Sequence, residues 1–149
     1  MKTLVIYFSA EGTTKKIAEE FANCNNFDLF EIVPEKTYSN ADIKWTNPLA
    51  RCNKEKLMKK DVPVKSSIHN FADYERVFLG FPIWYYGAPN VVNTFCKAYD
   101  WSGKSVFIFA TSGGSPIGKT AEKLQPYLKN VQSLDAVLVK SAADVEKYL

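Results

Sequence analysis

Residues 2–9 read Lys-Thr-Leu-Val-Ile-Tyr-Phe-Ser and lead into Ala10-Glu-Gly-Thr-Thr14 and a segment from Lys15 to Asn23. The first run is almost entirely apolar and contains β-branched residues, which is typical of a strand buried on both faces of a parallel sheet. The third part has apolar residues at helical spacing, namely Ile17, Ala18, Phe21 and Ala22. The chain therefore begins with a central strand, a tight loop and a helix.

The loop between this strand and helix consists of small or hydroxylated residues apart from Glu11. Backbone N–H groups, hydroxyl donors and the positive end of the helix dipole meet there, so the pattern predicts a phosphate site. A P-loop and a dinucleotide-binding loop both need more glycines than Gly12 alone, which excludes these two nucleotide sites. An ordinary N-capping loop rich in threonine is the alternative.

Length and composition predict one domain over residues 1–149. Of these residues 46% are hydrophobic and 23% are charged, which allows a buried core and excludes wholesale disorder. No stretch approaches the roughly 20 apolar residues that span a bilayer, and Met1 leads into the first strand without a signal-peptide pattern. We therefore expect a cytoplasmic protein with no part in the membrane.

Cysteine and histidine give no sign of a metal site or of nucleophilic catalysis. Cys24, Cys52 and Cys96 are odd in number and far apart, without a Cys-x-x-Cys pair, so they indicate buried or incidental thiols. The lone His69 lies in a polar linker and is expected to be exposed rather than to act as a general base.

The rest of the chain alternates apolar runs with helical patterns. The predicted strands after the first are residues 27–33, 76–81, 104–110 and 131–139, the last at the sheet edge and open to an interruption. Three further helices are predicted. The first covers residues 91–99 and has Pro89 in its first turn, the second starts at about Pro116 and is interrupted at Pro126, and the third covers residues 142–149.

Residues 44–65 carry seven basic residues against two acidic ones, whereas the whole chain has a net charge of only +3. Pro48 could start a helix here, and Asp61 with Pro63 could end it. A solvated cationic helix is the simpler interpretation, and a docking surface for an acidic partner is the alternative. Nucleic acid is not expected as a partner, because the segment lacks a known motif or stacking aromatics.

An aromatic loop, Pro82-Ile-Trp-Tyr-Tyr-Gly-Ala-Pro89, follows the third strand. Three consecutive large aromatic residues in a loop are normally buried or used to stack on a ligand, and a flat ring would be a natural ligand. The alternative is that the aromatic side chains fold back onto the core.

A polar, glycine-rich loop, Thr111-Ser-Gly-Gly-Ser-Pro-Ile-Gly118, follows the fourth strand. Its glycines allow backbone donors to approach a ligand closely, and Ser115 before Pro116 fits the start of a helix.

Alternating strands and helices of this kind predict an α/β fold, a doubly wound parallel sheet with helices on both faces. Such sheets bind ligands beyond the carboxyl ends of their strands, at the point where the strand order reverses, and flavodoxin with FMN is a standard example of this rule. The phosphate loop, the aromatic loop and the glycine-rich loop should then be neighbours.

The sequence resembles the short-chain flavodoxin-like family, which includes proteins labelled flavodoxin or Trp-repressor-binding-like. The likeness rests on Tyr7-Phe-Ser-x-x-Gly-x-Thr14, Gly80-Phe-Pro-Ile-Trp84, Ala88-Pro89, Asn93-Thr-Phe95, Ser102-Gly103-Lys104 and Thr111-Ser-Gly-Gly-Ser115. It runs in order over nearly the whole chain. The resemblance implies a five-stranded sheet of order 2-1-3-4-5.

The resemblance also implies FMN as cofactor. Ser9, Gly12, Thr13 and Thr14 would hold its phosphate, Trp84, Tyr85 or Tyr86 would stack on its ring, and the glycine-rich loop would line the ring's other edge. The predicted cofactor site comprises Ser9, Glu11, Gly12, Thr13, Thr14, Pro82, Ile83, Trp84, Tyr85, Tyr86, Gly87, Thr111, Ser112, Gly113, Gly114, Ser115 and Gly118.

Two features depart from the family pattern. Glu11 stands where a hydroxyl residue is expected and places a carboxylate near the phosphate, so its side chain should point to solvent or phosphate binding should weaken. Electron-carrying flavodoxins are usually strongly acidic, whereas this chain has a sequence pI of about 8.7.

Electron transfer with a protein redox partner is the favoured function. An NAD(P)H-dependent quinone-type oxidoreductase and a flavin-responsive protein-binding module are the alternatives. No residue is assigned a catalytic role, and the oligomeric state stays open.

Overall fold

Five parallel strands form one sheet in the computed structural model, which describes residues 2–34, 43, 50–51, 64, 67–84, 87–112 and 116–149. The strands are β1 (Thr3–Tyr7), β2 (Asp28–Glu31), β3 (Arg76–Pro82), β4 (Ser105–Thr111) and β5 (Ser133–Leu138). Their order is β2-β1-β3-β4-β5, and every neighbouring pair is parallel. The predicted doubly wound sheet and its strand order are confirmed.

The described helices cover both faces of this sheet. They are α1 (Thr13–Asn25), α2 (Asn90–Lys97), α3 (Thr120–Leu124) and α4 (Ala142–Glu146), with short 3₁₀ turns at Phe71–Asp73 and Gln125–Tyr127. One core cluster joins the sheet to α1 and α4, and the other joins it to α2 and α3. Among the helices of the described residues, none is both long and apolar enough to cross a bilayer.

Strand β1 lies at the centre because both of its faces are apolar. All of its residues are buried, with Leu4 and Ile6 in the cluster that contains α2 and Val5 and Tyr7 in the cluster that contains α1. The edge strand β2, by contrast, exposes most of its residues to solvent. The unbroken apolar run at the start of the chain therefore has the central position that its composition predicts.

Gly80 of β3 lies opposite Phe109 of β4 in the parallel register. A Cβ atom on Gly80 would come within 2.2 Å of the Phe109 ring, so only glycine leaves room for the ring at this position. Phe109 is fully buried beneath α1, where the Phe21 ring centroid lies 6.5 Å from its own. This packing holds α1 against β3 and β4.

Lys104 is buried just before β4, at the edge of the sheet where the strands begin. Its Nζ donates hydrogen bonds to the carbonyl oxygens of Phe71, at 3.0 Å, and Tyr74, and lies 4.6 Å from the centroid of the Phe71 ring. Burial lowers the pKa of Lys104. These hydrogen bonds hold the first 3₁₀ turn against the start of β4.

The start of the third described helix differs from the prediction. A helix was expected from about Pro116, but α3 begins at Thr120 and Pro116 lies outside it. Gly118 has a φ of 52°, in the left-handed region, and a right-handed helix cannot pass through such a residue. The predicted interruption at Pro126 is confirmed, since residues Gln125–Tyr127 form the second 3₁₀ turn.

Other boundaries shift by a few residues. Pro89 was expected in the first turn of α2, but it is the N-cap, because its ψ of 150° is extended rather than helical. The second strand covers Asp28–Glu31 rather than residues 27–33, and the last helix ends at Glu146 rather than at residue 149. Strand β5 is continuous. The helix predicted between Pro48 and Asp61 lies outside the described residues.

The described thiols and the histidine agree with the sequence-based expectation. Cys24 is exposed, Cys96 is buried, and Cys52 lies outside the described residues. Burial raises the pKa of the Cys96 thiol. His69 is exposed, as predicted.

Candidate functional site

The three loops selected from the sequence follow β1, β3 and β4, whose carboxyl ends lie side by side in the sheet. Backbone hydrogen bonds join them. Phe8 N–H donates to the Gly80 carbonyl at 2.9 Å, and Ile83 N–H donates to the Thr111 carbonyl at 2.8 Å. The candidate site therefore lies at the β1/β3 switch point, where the rule for doubly wound sheets places a ligand.

Gly12 of the phosphate loop is the N-cap of α1. Its φ of 98° is in the left-handed region, and a Cβ atom there would meet nothing within 4 Å, so conformation rather than space requires the glycine. The Gly12 N–H donates to Ser9 Oγ at 3.0 Å, which closes the loop.

The amino end of α1 faces this loop without a side-chain cap, because its N-cap residue is a glycine. The first backbone N–H groups of a helix have no partner inside it, and with the helix dipole they attract an anion. Glu11, Gly12 and Thr13 are exposed, and Ser9 is half-buried. Donors are thus available to a phosphate at this position.

Thr14 has a different environment from the rest of the phosphate loop. It is only 1% exposed, and its Oγ1 lies 2.8 Å from Thr111 Oγ1 at the end of β4, within hydrogen-bond distance. The loop motifs predicted both threonines in the site. They did not predict the contact between the two hydroxyls, because the residues are 97 positions apart and the sheet order brings them together.

Trp84 provides a half-buried aromatic surface in the loop after β3. Its ring packs edge-on against Phe8, with centroids 5.8 Å apart, and its backbone exchanges two hydrogen bonds with Gly87. Pro82 is the last residue of β3, whereas Ile83 is buried in the core and offers little surface to a ligand. Tyr85 and Tyr86 lie outside the described residues.

The glycine-rich loop begins at Thr111, the buried last residue of β4. Ser112 and Gly118 are exposed at the two ends of the loop. Gly113, Gly114 and Ser115 lie outside the described residues.

Glu11 is the ionisable side chain among the described residues of the three loops, and it is exposed, as is Lys119 directly after the glycine-rich loop. Beneath the phosphate loop, burial together with Glu31 and Glu19 raises the pKa of Tyr7 to about 12. Apart from Glu11, the described part of the site presents hydroxyls, backbone donors and an aromatic ring.

A cavity of about 400 Å³ lies elsewhere, beside the first residues of β1 and β2. It is lined by Leu4, Asp28, Leu29, Phe30, Ser67, Ile68, His69, Asn70 and Tyr74. Sequence reasoning did not indicate it, since its lining comes from apolar strand residues and from a polar linker. Tyr74 Oη donates a 2.6 Å hydrogen bond to Asp28 Oδ2, so two of the polar groups in its wall bind each other.

A family model described as flavodoxin matches residues 2–148. The chain belongs to the flavodoxin family. This match confirms the resemblance drawn from the loop motifs. A comparison with curated proteins gives no match.

Solved structures of flavodoxin-like proteins share this fold. A protein assigned as a flavoprotein from Bacteroides eggerthii is 36% identical, with a TM-score of 0.90 over 99% of this chain and 95% of that chain. A similar protein from Bacteroides uniformis is 35% identical, with a TM-score of 0.86 over 99% and 96% of the two chains. A flavoprotein in complex with FMN from Lactobacillus acidophilus has a TM-score of 0.72 at 22% identity, over 99% and 97%.

Proposed function

We propose that this flavodoxin-family protein binds one FMN non-covalently at the three loops and transfers electrons with a protein partner. The observation that supports the proposal most is the convergence of an uncapped helix N-terminus, hydroxyl side chains and a half-buried tryptophan at the β1/β3 switch point. A relative of the same fold was solved in complex with FMN.

The phosphate of FMN would bind at the amino end of α1. Ser9, Gly12, Thr13 and Thr14 surround this position, where the hydroxyl groups and the first N–H groups of α1 suit a dianion. The left-handed Gly12 leaves open space beside its backbone, so a phosphate could approach it closely. The donor set present in the structure therefore fits the phosphate of FMN.

The ring of FMN would lie between the loop after β3 and the loop after β4. Trp84 is the described aromatic side chain in this region, and Ser112 and Gly118 offer polar groups on the other side. Tyr85, Tyr86, Gly113, Gly114 and Ser115 complete the proposed set from the sequence. FMN would supply the redox chemistry, while these residues position the ring and shield it from water.

Electron transfer is the preferred activity because it needs a positioned flavin and no proton-transferring side chain. Glu11, the ionisable side chain in the described part of the loops, is exposed to solvent and is not held as a buried acid or base beside the proposed ring. The physiological partner would be a redox protein, or NAD(P)H if the protein is instead a quinone-type oxidoreductase. A flavin-responsive binding module would use the same FMN site without redox turnover.

Anaerobic mixing of the FMN-loaded protein with NADH or NADPH separates these activities. The carrier function predicts that the flavin absorbance persists with NAD(P)H alone and bleaches when a flavodoxin reductase is added. Direct bleaching at a catalytic rate would contradict the carrier function and establish the reductase. Failure to bleach even with reductase, together with capture of a partner only by the FMN-loaded form, would favour the binding module.

The phosphate site is tested separately by the Ser9→Ala/Thr14→Ala double variant. It should bind FMN at least about 100-fold more weakly, because hydrogen bonds to charged groups contribute about 1.5–3 kcal/mol each. Wild-type affinity in this variant would contradict the placement of the phosphate. The Ser105→Ala/Thr3→Ala variant, altered at the opposite ends of the strands, is the matched control.

A further inference from the structure

Thr111 is the residue at which the three loops of the proposed FMN site are connected. Its side-chain hydroxyl lies 2.8 Å from Thr14 Oγ1 in the phosphate loop and helix α1. Its carbonyl oxygen accepts the 2.8 Å hydrogen bond from Ile83 N–H, where the aromatic loop begins. Thr111 itself is the last residue of β4, from which the glycine-rich loop continues.

Either hydroxyl can donate its proton to the other in this hydrogen bond. If Thr14 donated to Thr111, a lone pair of Thr14 Oγ1 would remain to face an anion, which would repel it. If Thr111 donates to Thr14, the Thr14 proton is free to be donated onward. An anion at the amino end of α1 favours the second direction, and hydrogen bonds in such a chain strengthen one another.

Because the two threonines are buried, the direction of their hydrogen bond determines whether the Thr14 proton is free to be donated onward. Thr14 is 1% exposed and Thr111 is 6% exposed, so bulk water has little access to either hydroxyl. Without Thr111, the Thr14 hydroxyl would lose a buried partner and could rotate away from the helix end. A buried hydroxyl that loses its partner is also destabilising in its own right.

We propose that Thr111 is a positioning residue for the phosphate of FMN. Its hydroxyl donates to Thr14 and so orients the Thr14 proton toward the phosphate, while its carbonyl holds the start of the aromatic loop in place. This role rests on the proposed FMN site.

The test compares FMN with riboflavin, which has the same ring system and lacks the phosphate. Dissociation constants of both ligands are measured for the wild-type apoprotein and for Thr111→Val, which keeps the shape of the side chain and removes the hydroxyl. We expect FMN affinity to fall about tenfold in Thr111→Val and riboflavin affinity to stay within about twofold. Thr111→Ser, which retains the hydroxyl, should restore FMN binding.

Thr3→Val is the matched control for loss of a buried threonine hydroxyl. Thr3 is 5% exposed and its Oγ1 accepts a 3.1 Å hydrogen bond from Arg76 Nε at the other end of β1. It should lower thermal stability without changing the ratio of FMN to riboflavin affinity. If Thr111→Val does not fold, Thr111→Ala removes the same hydroxyl and takes its place in the titrations.

Unchanged FMN affinity in the hydroxyl-free variants would overturn the role of Thr111. An equal loss of FMN and riboflavin affinity would also overturn it, because Thr111 would then act on the ring or the fold. A wild-type protein that binds riboflavin as tightly as FMN would instead refute the proposed phosphate site itself.

Discussion

Gly12 combines a left-handed backbone with a position at the start of α1. Gly12→Ala should lower the free energy of unfolding by about 1–2 kcal/mol, because a φ of 98° is unfavourable for a residue with a Cβ. Any relaxation of this φ would turn the first N–H groups of α1 away from the proposed phosphate, so FMN affinity should fall as well. Denaturant unfolding and FMN titration measure the two effects.

Gly103→Ala is the control for Gly12→Ala. Gly103 also has a positive φ, 76°, and open space around it, but it precedes β4 at the opposite edge of the sheet. It should lose stability and keep FMN affinity. Equal loss of FMN affinity in both variants would show that Gly12 has no special relation to the site.

Glu11 is exposed beside the proposed phosphate position. Glu11→Gln should strengthen FMN binding about two- to fivefold at low ionic strength, because a carboxylate near a dianion is repelled. The gain should shrink in about 1 M salt, where the screening length is about 3 Å. Glu20→Gln removes the same charge from an exposed site farther along α1 and should have a smaller effect. Weaker FMN binding in Glu11→Gln would contradict this account of the loop.

Tyr7 makes stability depend on pH in the alkaline range. Burial, Glu31 and Glu19 raise its pKa from 10.0 to about 12. Between these values the unfolded chain loses the Tyr7 proton and the folded protein keeps it, so the folded state binds more protons and stability falls as pH rises. The loss by pH 12 should reach about 2 kcal/mol.

Tyr7→Phe should remove this part of the alkaline slope in urea unfolding curves recorded from pH 9 upward. Tyr148→Phe, at an exposed position, serves as control. Identical slopes for wild type and Tyr7→Phe would contradict the raised pKa.

At the scale of elements, the contact between β3 and β4 depends on Gly80 and Phe109. Gly80→Ala should destabilise the protein by about 1–3 kcal/mol, since the new methyl group would overlap the Phe109 ring. Phe109→Leu makes room for it. The double variant should therefore be less destabilised than the sum of the two single variants by about 1 kcal/mol or more in chemical denaturation. Strict additivity would mean that the ring does not limit the packing.

The elements themselves could largely be predicted, because apolar periodicity reports which faces are buried. The unbroken apolar run of residues 3–8 identified the central strand, and the three loop motifs predicted loops that follow neighbouring strands of the sheet. The start of α3 could not be predicted, since a glycine pattern does not reveal that Gly118 is left-handed. Pro89 is compatible with both the N-cap and the first turn, and only its ψ separates them.

Contacts between residues that are distant in the chain could not be predicted from the sequence. The Thr14–Thr111 hydrogen bond depends on strand order and register, and the burial of Lys104 depends on the carbonyls of a 3₁₀ turn folding over it. Ile83 was included in the cofactor site with its loop, and the structure shows that its side chain packs in the core.

For the whole molecule, charge bears on the choice of partner. The chain has a net charge of +3 and a run of basic residues between 44 and 65. If the protein carries electrons, a partner with an acidic docking surface suits this charge, and their association should slow as ionic strength rises.

We propose that the three loops form an FMN site with the phosphate at the amino end of α1. The most direct test of this claim is a flavin fluorescence titration of the wild-type apoprotein with FMN and, in parallel, riboflavin. We predict binding of one FMN per chain, at least about 100-fold tighter than riboflavin, because the phosphate adds several hydrogen bonds to a charged group. Absence of FMN binding, or equal affinity for the two flavins, would contradict the claim.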